Sequence, residues 1–185
     1  MIRSFWLIVY YIFACRLPGY FFPGGKLFNR LRCFVISRIL PAMGSNVRFN
    51  QGVYIGRGEN VRIGSNSHIN EGAHLANVEI GENVLIAPEV YFIARTHRCS
   101  DPHTPVALQG EQDHPATVVA NGAWIGLRAV IMPGLRIGEG AIVGALSLVN
   151  RDVPDFCVVG GVPARVIRNR LTDSPSTEAG AIDIR

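Results

Sequence analysis

At 185 residues the chain has room for one good-sized domain and a small appendage. Hydrophobic residues make up 48% and charged residues 17%, which excludes an intrinsically disordered chain. The formal net charge of +4 is modest, and no Lys/Arg run with interleaved aromatics occurs, which argues against a nucleic-acid partner.

The chain opens with an apolar run, Phe5 to Cys15, flanked by Arg3 and Arg16. It is too short to cross a bilayer, which takes about 20 residues. Its end, Ile12-Phe13-Ala14-Cys15, loosely suggests a lipoprotein cleavage site, but the bulky Phe13 and the character of the following chain argue against one. A helix packed on its own protein or on a sister subunit is expected. Pro23-Gly24-Gly25 then makes a turn, and Leu27, Leu31, Phe34/Val35 and Ile39 mark an amphipathic helix that also carries Arg30, Arg32 and Arg38. Residues 1–42 form this N-terminal apolar and helical segment. Two roles suit it. It covers the open end of the domain that follows, or it lies on an acidic membrane with Arg30, Arg32 and Arg38 at the head groups. Covering is the reading adopted, because any solenoid needs it; the two can coexist.

A repeat with a period of six follows. Phe49 and Ile55 are in phase; Ile63, Ile69 and Leu75 follow after a two-residue insertion; Ile80, Ile86 and Phe92 follow after a one-residue deletion. From Val119 the series Val119, Ile125, Ile131, Ile137, Val143, Val149 is unbroken. Gly often stands next, as at Gly56, Gly64, Gly81, Gly126, Gly138 and Gly144. This period matches neither the 3.6 of a helix nor the two-residue alternation of a long strand. It fits a short strand and a tight turn, three of which close a triangular coil of about 18 residues. Residues 43–97 then supply three coils and 118–160 a little over two. Between them, the loop 98–117 lacks the repeat; a loop so long in a compact fold is usually functional. The tail 171–185, rich in Ser, Thr, Glu and Gly, reads as disordered. Cys15, Cys33, Cys99 and Cys157 are widely spaced without a CxxC pair, so they read as reduced thiols of a cytoplasmic protein.

The motifs Trp124-Ile125-Gly126, Pro133-Gly134, Ile137-Gly138, Gly144-Ala145, Asp152-Val153-Pro154 and Gly160-Gly161-Val162-Pro163-Ala164-Arg165 resemble the hexapeptide-repeat acetyltransferases. The likeness covers residues 43–170 and is nearest the maltose, galactoside and nodulation-factor O-acetyltransferases. Pro105-Val106 and Gln109-Gly110, with the apolar N-terminus, look more like the surface-polysaccharide branch, that of colanic acid and capsule. The resemblance implies an all-β fold, a left-handed parallel β-helix, in a homotrimer with active sites between subunits. It implies acetyl-CoA as acyl donor, a saccharide acceptor and no metal.

The resemblance also assigns roles. His97, in Ala94-Arg95-Thr96-His97, stands where the family has its catalytic base. Such a group is needed because a sugar hydroxyl is a weak nucleophile until an imidazole takes its proton. His103 and His114 share the loop as fallbacks. Asn70 matches an asparagine that holds the acceptor sugar. Trp124, Leu127, Ala145 and Asn150 fall where the pantetheine arm runs, and Arg151, Arg165 and Arg168 where guanidinium groups meet the nucleotide phosphates. The family usually has Ser or Ala at the place of Leu127 and Thr-Lys at that of Asn150-Arg151. An antibiotic acetyltransferase of the streptogramin type is the nearest alternative. A γ-carbonic-anhydrase-like zinc enzyme is a weaker one, since His68 and His74 lie one repeat apart and so on different faces.

Overall fold

A computed structural model describes residues 2–172. Of the expected tail, residues 173–185 lie outside the described residues. The repeat folds as a three-sided parallel β-helix. The first face stacks Ala42–Met43, Val61–Ile63, Val78–Ile80, Thr117–Val119 and Arg136–Ile137. The second stacks Arg48–Phe49, His68–Ile69, Leu85–Ile86, Trp124–Ile125, Ile142–Val143 and Cys157–Gly160, and Arg165–Asn169 adds an antiparallel strand at its end. The third stacks Tyr91–Phe92, Val130–Ile131 and Leu148–Val149, and reaches back toward the N-terminus through bridges from Tyr91 to His74 and from His74 to Tyr54.

Physical reasons for the fold are visible along the stack. Every aliphatic or aromatic of the six-residue series points inward and is at most 4% exposed, so one core runs the length of the axis. Ala123, Ala129 and Ala141 are equally buried in the second inward position, where little room is left. Asn46, Asn66 and Asn83 turn corners in the left-handed region, at φ of 53°, 60° and 56°. Gly126 is required for a different reason: a Cβ there would lie 2.7 Å from the backbone of Val143 and Ala145 in the next coil.

The two slips in the repeat have a structural counterpart. Arg48 pairs with His68, two residues more than a regular coil, and His68 with Leu85, one fewer. The steps from first to second face and from second to third are constant, so both slips fall on the edge joining third face to first. The long insertion leaves from that same edge. It starts earlier than the repeat suggests: Arg95–His97 already pairs antiparallel with Glu111–Asp113 as a hairpin standing off the prism.

Two helices close the N-terminal end, α1 (Ile2–Ile12) and α2 (Gly25–Ser37). The strand Arg48–Phe49 ends the second face and would expose its backbone. Asn29 of α2 accepts the Phe49 N–H at 2.8 Å and donates to the Val47 carbonyl at 3.2 Å. Tyr10 of α1 donates to the Val53 carbonyl at 2.6 Å, and Tyr11 to that of Gly56 at 2.8 Å. Arg32 corrects the sequence reading, which grouped it with Arg30 and Arg38 at a membrane. It is wholly buried and donates to the carbonyls of Ala14, Leu17, Pro18 and Phe49. The apolar stripe of α2 also divides. Val35, Ile36 and Ile39 face the core, while Leu27, Leu31 and Phe34 face outward. Among the described residues no helix is long and apolar enough to cross a membrane.

Candidate active site

His97 sits on the hairpin, opposite Glu111 and exposed to solvent. The hairpin is pinned at its base. Arg95 bridges Glu111 at 2.9 Å and Asp113 at 3.2 Å, and these exposed pairs fix register more than they add stability. Thr96 Oγ1 lies 2.8 Å from His114 Nε2, so His114 is held in place within the loop. Further out, the Asp101 carboxylate accepts from the His103 backbone N–H at 2.9 Å and from the Thr104 hydroxyl at 2.6 Å. Gln109 ties the carbonyls of Asp101 and Thr104 together. The tip therefore carries its own hydrogen-bond frame, and the Asp101 carboxyl is held below its ordinary pKa, first by Thr104 and then by the His103 N–H.

Asn70 lies elsewhere, on the edge between second and third faces. Its Oδ1 accepts from Asn50 at 3.0 Å, and its Nδ2 donates to the Ile86 carbonyl at 2.8 Å. This asparagine ladder engages half of the amide's capacity and leaves one N–H and one lone pair for another partner. Asn70 is not among the residues with positive φ, so a left-handed turn does not account for it.

The residues assigned to acetyl-CoA form two groups. Trp124 stands 48% exposed on the second face, in register with Leu85 and Ile142. Leu127 and Ala145 follow on the edge between second and third faces, both exposed. The Leu127 carbonyl accepts from Leu146 at 2.8 Å, so the coils are in direct contact there. Gly126 lets successive coils pack closely at this edge. Asn150, Arg151 and Arg165 make the second group. The turn 161–164 crosses the last coil, the Ala164 N–H donates to the Leu148 carbonyl at 2.8 Å, and Arg165 is thereby brought beside Asn150 and Arg151. The three line a shallow cavity of about 150 Å³. Arg168, farther along the same strand and paired with Val158, is exposed and outside that cavity.

Two features escaped the sequence reading. A groove of about 640 Å³ runs below the hairpin on the edge that holds the slips, with Arg57, Asn77, Arg95, Asp113 and His114 among its lining. Its signal was there, since both slips and the loop interrupt the repeat at the same corner. The second feature is a ring stack on the third face. His74 lies between Tyr54 and Tyr91 with centroids 4.9 and 4.5 Å away and ring planes 30° and 18° apart. All three precede an inward residue of the series, which is the pattern that would have revealed it. His68 is on the second face, apart from His74, and among the described residues no three His, Cys, Asp or Glu side chains group as metal ligands.

No family model matches the chain. Galactoside O-acetyltransferase of Escherichia coli is 36% identical over 137 residues, 72% of this chain; the matched stretch spans 66% of that enzyme, just short of two thirds. A putative lipopolysaccharide biosynthesis O-acetyltransferase of the same organism is 29% identical over 75% of this chain and 76% of its own. Chloramphenicol acetyltransferases match a shorter stretch, 73 residues in the case of Klebsiella aerogenes. A solved galactoside acetyltransferase in complex with coenzyme A superposes with a TM-score of 0.75 at 31% identity, over 92% of this chain and 81% of that one. With the repeat, the three-sided stack and these likenesses together, the chain belongs to the hexapeptide-repeat acetyltransferases.

Proposed function

We propose that the chain transfers an acetyl group from acetyl-CoA to a sugar hydroxyl, in the biosynthesis of surface polysaccharide or a related glycoconjugate. The imidazole of His97 takes the hydroxyl proton as the oxygen attacks the thioester carbonyl. The tetrahedral intermediate then collapses, the C–S bond breaks, and CoA leaves as the thiol with a proton returned from His97. A backbone N–H near the pantetheine edge serves the oxyanion. Trp124, Leu127 and Ala145 bed the pantetheine arm, Asn150, Arg151 and Arg165 receive the nucleotide end, with Arg168 next to them, and the free half of the Asn70 amide meets the acceptor. Use of a CoA thioester as donor supports a cytoplasmic site for the reaction.

The observation that carries this reading is a division within one chain. His97 projects from the edge between third and first faces, whereas Leu127 and Ala145 lie on the edge between second and third. A base and a donor on different edges meet when a second copy stands alongside, which supports a homotrimer with three sites between subunits. The galactoside and lipopolysaccharide enzymes among the relatives favour a saccharide over a drug as acceptor. The test is CoA thiol release from acetyl-CoA with galactosides, oligosaccharides, chloramphenicol and a streptogramin offered in parallel. Turnover only with the antibiotics overturns the sugar reading; release with none of them overturns the choice of acceptor class.

A further inference from the structure

The inner faces of α1 and α2 are accounted for by the coil they cover; their outer faces are not. On α1, Ile2, Phe5, Ile8 and Ile12 form an outward stripe 57–78% exposed. On α2, Leu27, Leu31 and Phe34 form another, and Phe21 between the helices is 85% exposed. The stripes are joined by edge-on rings, Phe5 to Trp6 at 5.4 Å and Trp6 to Phe34 at 5.7 Å. Contiguous exposed apolar side chains of this kind mark an interaction site.

The charge around it selects the partner. No Asp or Glu precedes Glu59, while eight Lys and Arg do. Arg3 and Arg57 are matched by Glu59, and Arg32 is buried. Arg16, Lys26, Arg30, Arg38 and Arg48 remain, and among the described residues none of these five is in an ion pair. Arg30 flanks the α2 stripe, about 60° around the helix from Leu27 on the Phe34 side. Beside the helix, Lys26, Arg30 and Arg48 share a groove of about 560 Å³ with Tyr20 and no carboxylate, and the Arg48 guanidinium lies over the Tyr20 ring at 4.4 Å. A second copy of this chain would bring like charges together on this face, so self-association is disfavoured. A surface that is apolar inside and anionic at its boundary suits it.

We propose that the α1/α2 cap docks on an anionic lipid bilayer. Phe5, Ile8, Phe21, Leu31 and Phe34 enter the interface, and Lys26, Arg30 and Arg48 seat head-group phosphates. The proposal is independent of acyl transfer, because it concerns the end of the prism away from the acetyl-CoA residues.

Co-sedimentation of the full chain with vesicles tests it. Phosphatidylcholine vesicles should leave the protein in solution, and equal parts phosphatidylcholine and phosphatidylglycerol should carry it down, less so as salt rises. Lys26→Gln with Arg30→Gln should weaken binding about thirtyfold, at roughly fivefold per charge. Phe5→Ser with Phe21→Ser should abolish it while the circular dichroism of the β-helix is retained. Failure of the unaltered protein to bind phosphatidylglycerol vesicles overturns the proposal. So does a Phe5→Ser/Phe21→Ser variant that keeps its binding. If those substitutions instead dissociate the oligomer in sedimentation equilibrium, the face joins copies of this chain and the bilayer is not its partner.

Discussion

Arg32 Nη1 donates to the carbonyl of Phe49 at 2.6 Å, joining the middle of α2 to the first strand of the second face. Its Nε reaches Ala14 at 3.1 Å and its Nη2 reaches Leu17 and Pro18, so one guanidinium ties the end of the α1 segment, the connection and the first coil. Burial pulls its pKa below the ordinary value, yet the partners are all carbonyl dipoles and none is a carboxylate. Arg32→Met should therefore leave several buried carbonyls unpaired and cost about 3–5 kcal/mol. Arg32→Lys keeps the charge but not the fork and should recover part of the loss. Urea melts read both, and a midpoint unchanged in Arg32→Met would show that the cap is held by its apolar contacts alone. Deleting residues 1–40 removes this tie together with Asn29, and the remaining prism should aggregate without lipid.

Arg32 also illustrates how far the sequence could be read. The inward series is legible because each member sits in the same place against its neighbours above and below, so periodicity alone identifies Phe49, Ile69, Ile86, Ile125 and Val143 as one buried column. Even the slips are correct in size. Helical periodicity, by contrast, defines a stripe without saying which way it faces. Leu27, Leu31 and Phe34 look like a core face, but Arg32 on the other side has the carbonyls to bury it. The insertion starts three residues before the loop 98–117 because Arg95 and Thr96 pair with Asp113 and Gln112, a contact across the loop that no local pattern carries. Asn70 matches an acceptor-binding asparagine in sequence, while its bond to Asn50 depends on a coil offset visible only in register.

His97 and His114 differ in what holds them. His114 is engaged with Thr96, whereas His97 is presented to solvent from the hairpin strand. If His97 is the base, His97→Ala should lower kcat by about 10²–10⁴-fold while acetyl-CoA binding and oligomeric state persist. His114→Ala should act through loop placement, raising KM for the acceptor more than it lowers kcat. Steady-state kinetics on both variants decide the matter; if the His97 variant turns over within a few-fold of the unaltered protein, the base lies elsewhere and His103 or His114 is next.

Stability should fall on mild acidification, and His74 is one cause. Burial in the stack with Tyr54 and Tyr91 lowers its pKa, and burial with the charge of Arg48 lowers that of His68. A histidine with a depressed folded pKa binds its proton more readily when unfolded. Its stabilising effect is thus complete above the unfolded value of about 6.5 and is lost as pH falls from there through the folded value. Between pH 7 and 5 the urea midpoint should drop, and His74→Phe, which keeps a ring in the stack, should drop less. The same slope in both proteins would assign the effect to His68 or to groups outside the stack.

The position of Arg165 follows from the fold and not from charge alone. The chain reverses after Gly160, the turn 161–164 is bonded to the last coil through Leu148, and the returning strand starts at Arg165 opposite Gly160. That path sets the guanidinium beside Asn150 and Arg151 in one shallow cavity, while Arg168 lies outside it. The only hydrogen bond holding the Arg165 head among the described residues is to the adjacent Ala164 carbonyl at 2.9 Å, so the head can turn toward a phosphate at little cost. Charge-assisted hydrogen bonds of this kind contribute about 1.5–3 kcal/mol. Arg165→Ala should therefore weaken acetyl-CoA binding by roughly tenfold to a hundredfold. The loss should be smaller for the analogue without the 3′-phosphate, and smaller in Arg168→Ala than in Arg165→Ala. Calorimetric titration of both variants with both ligands gives four affinities. Equal losses for the two ligands in Arg165→Ala would mean that this arginine does not read the 3′-phosphate, and a larger loss in Arg168→Ala would move the phosphate seat outside the cavity.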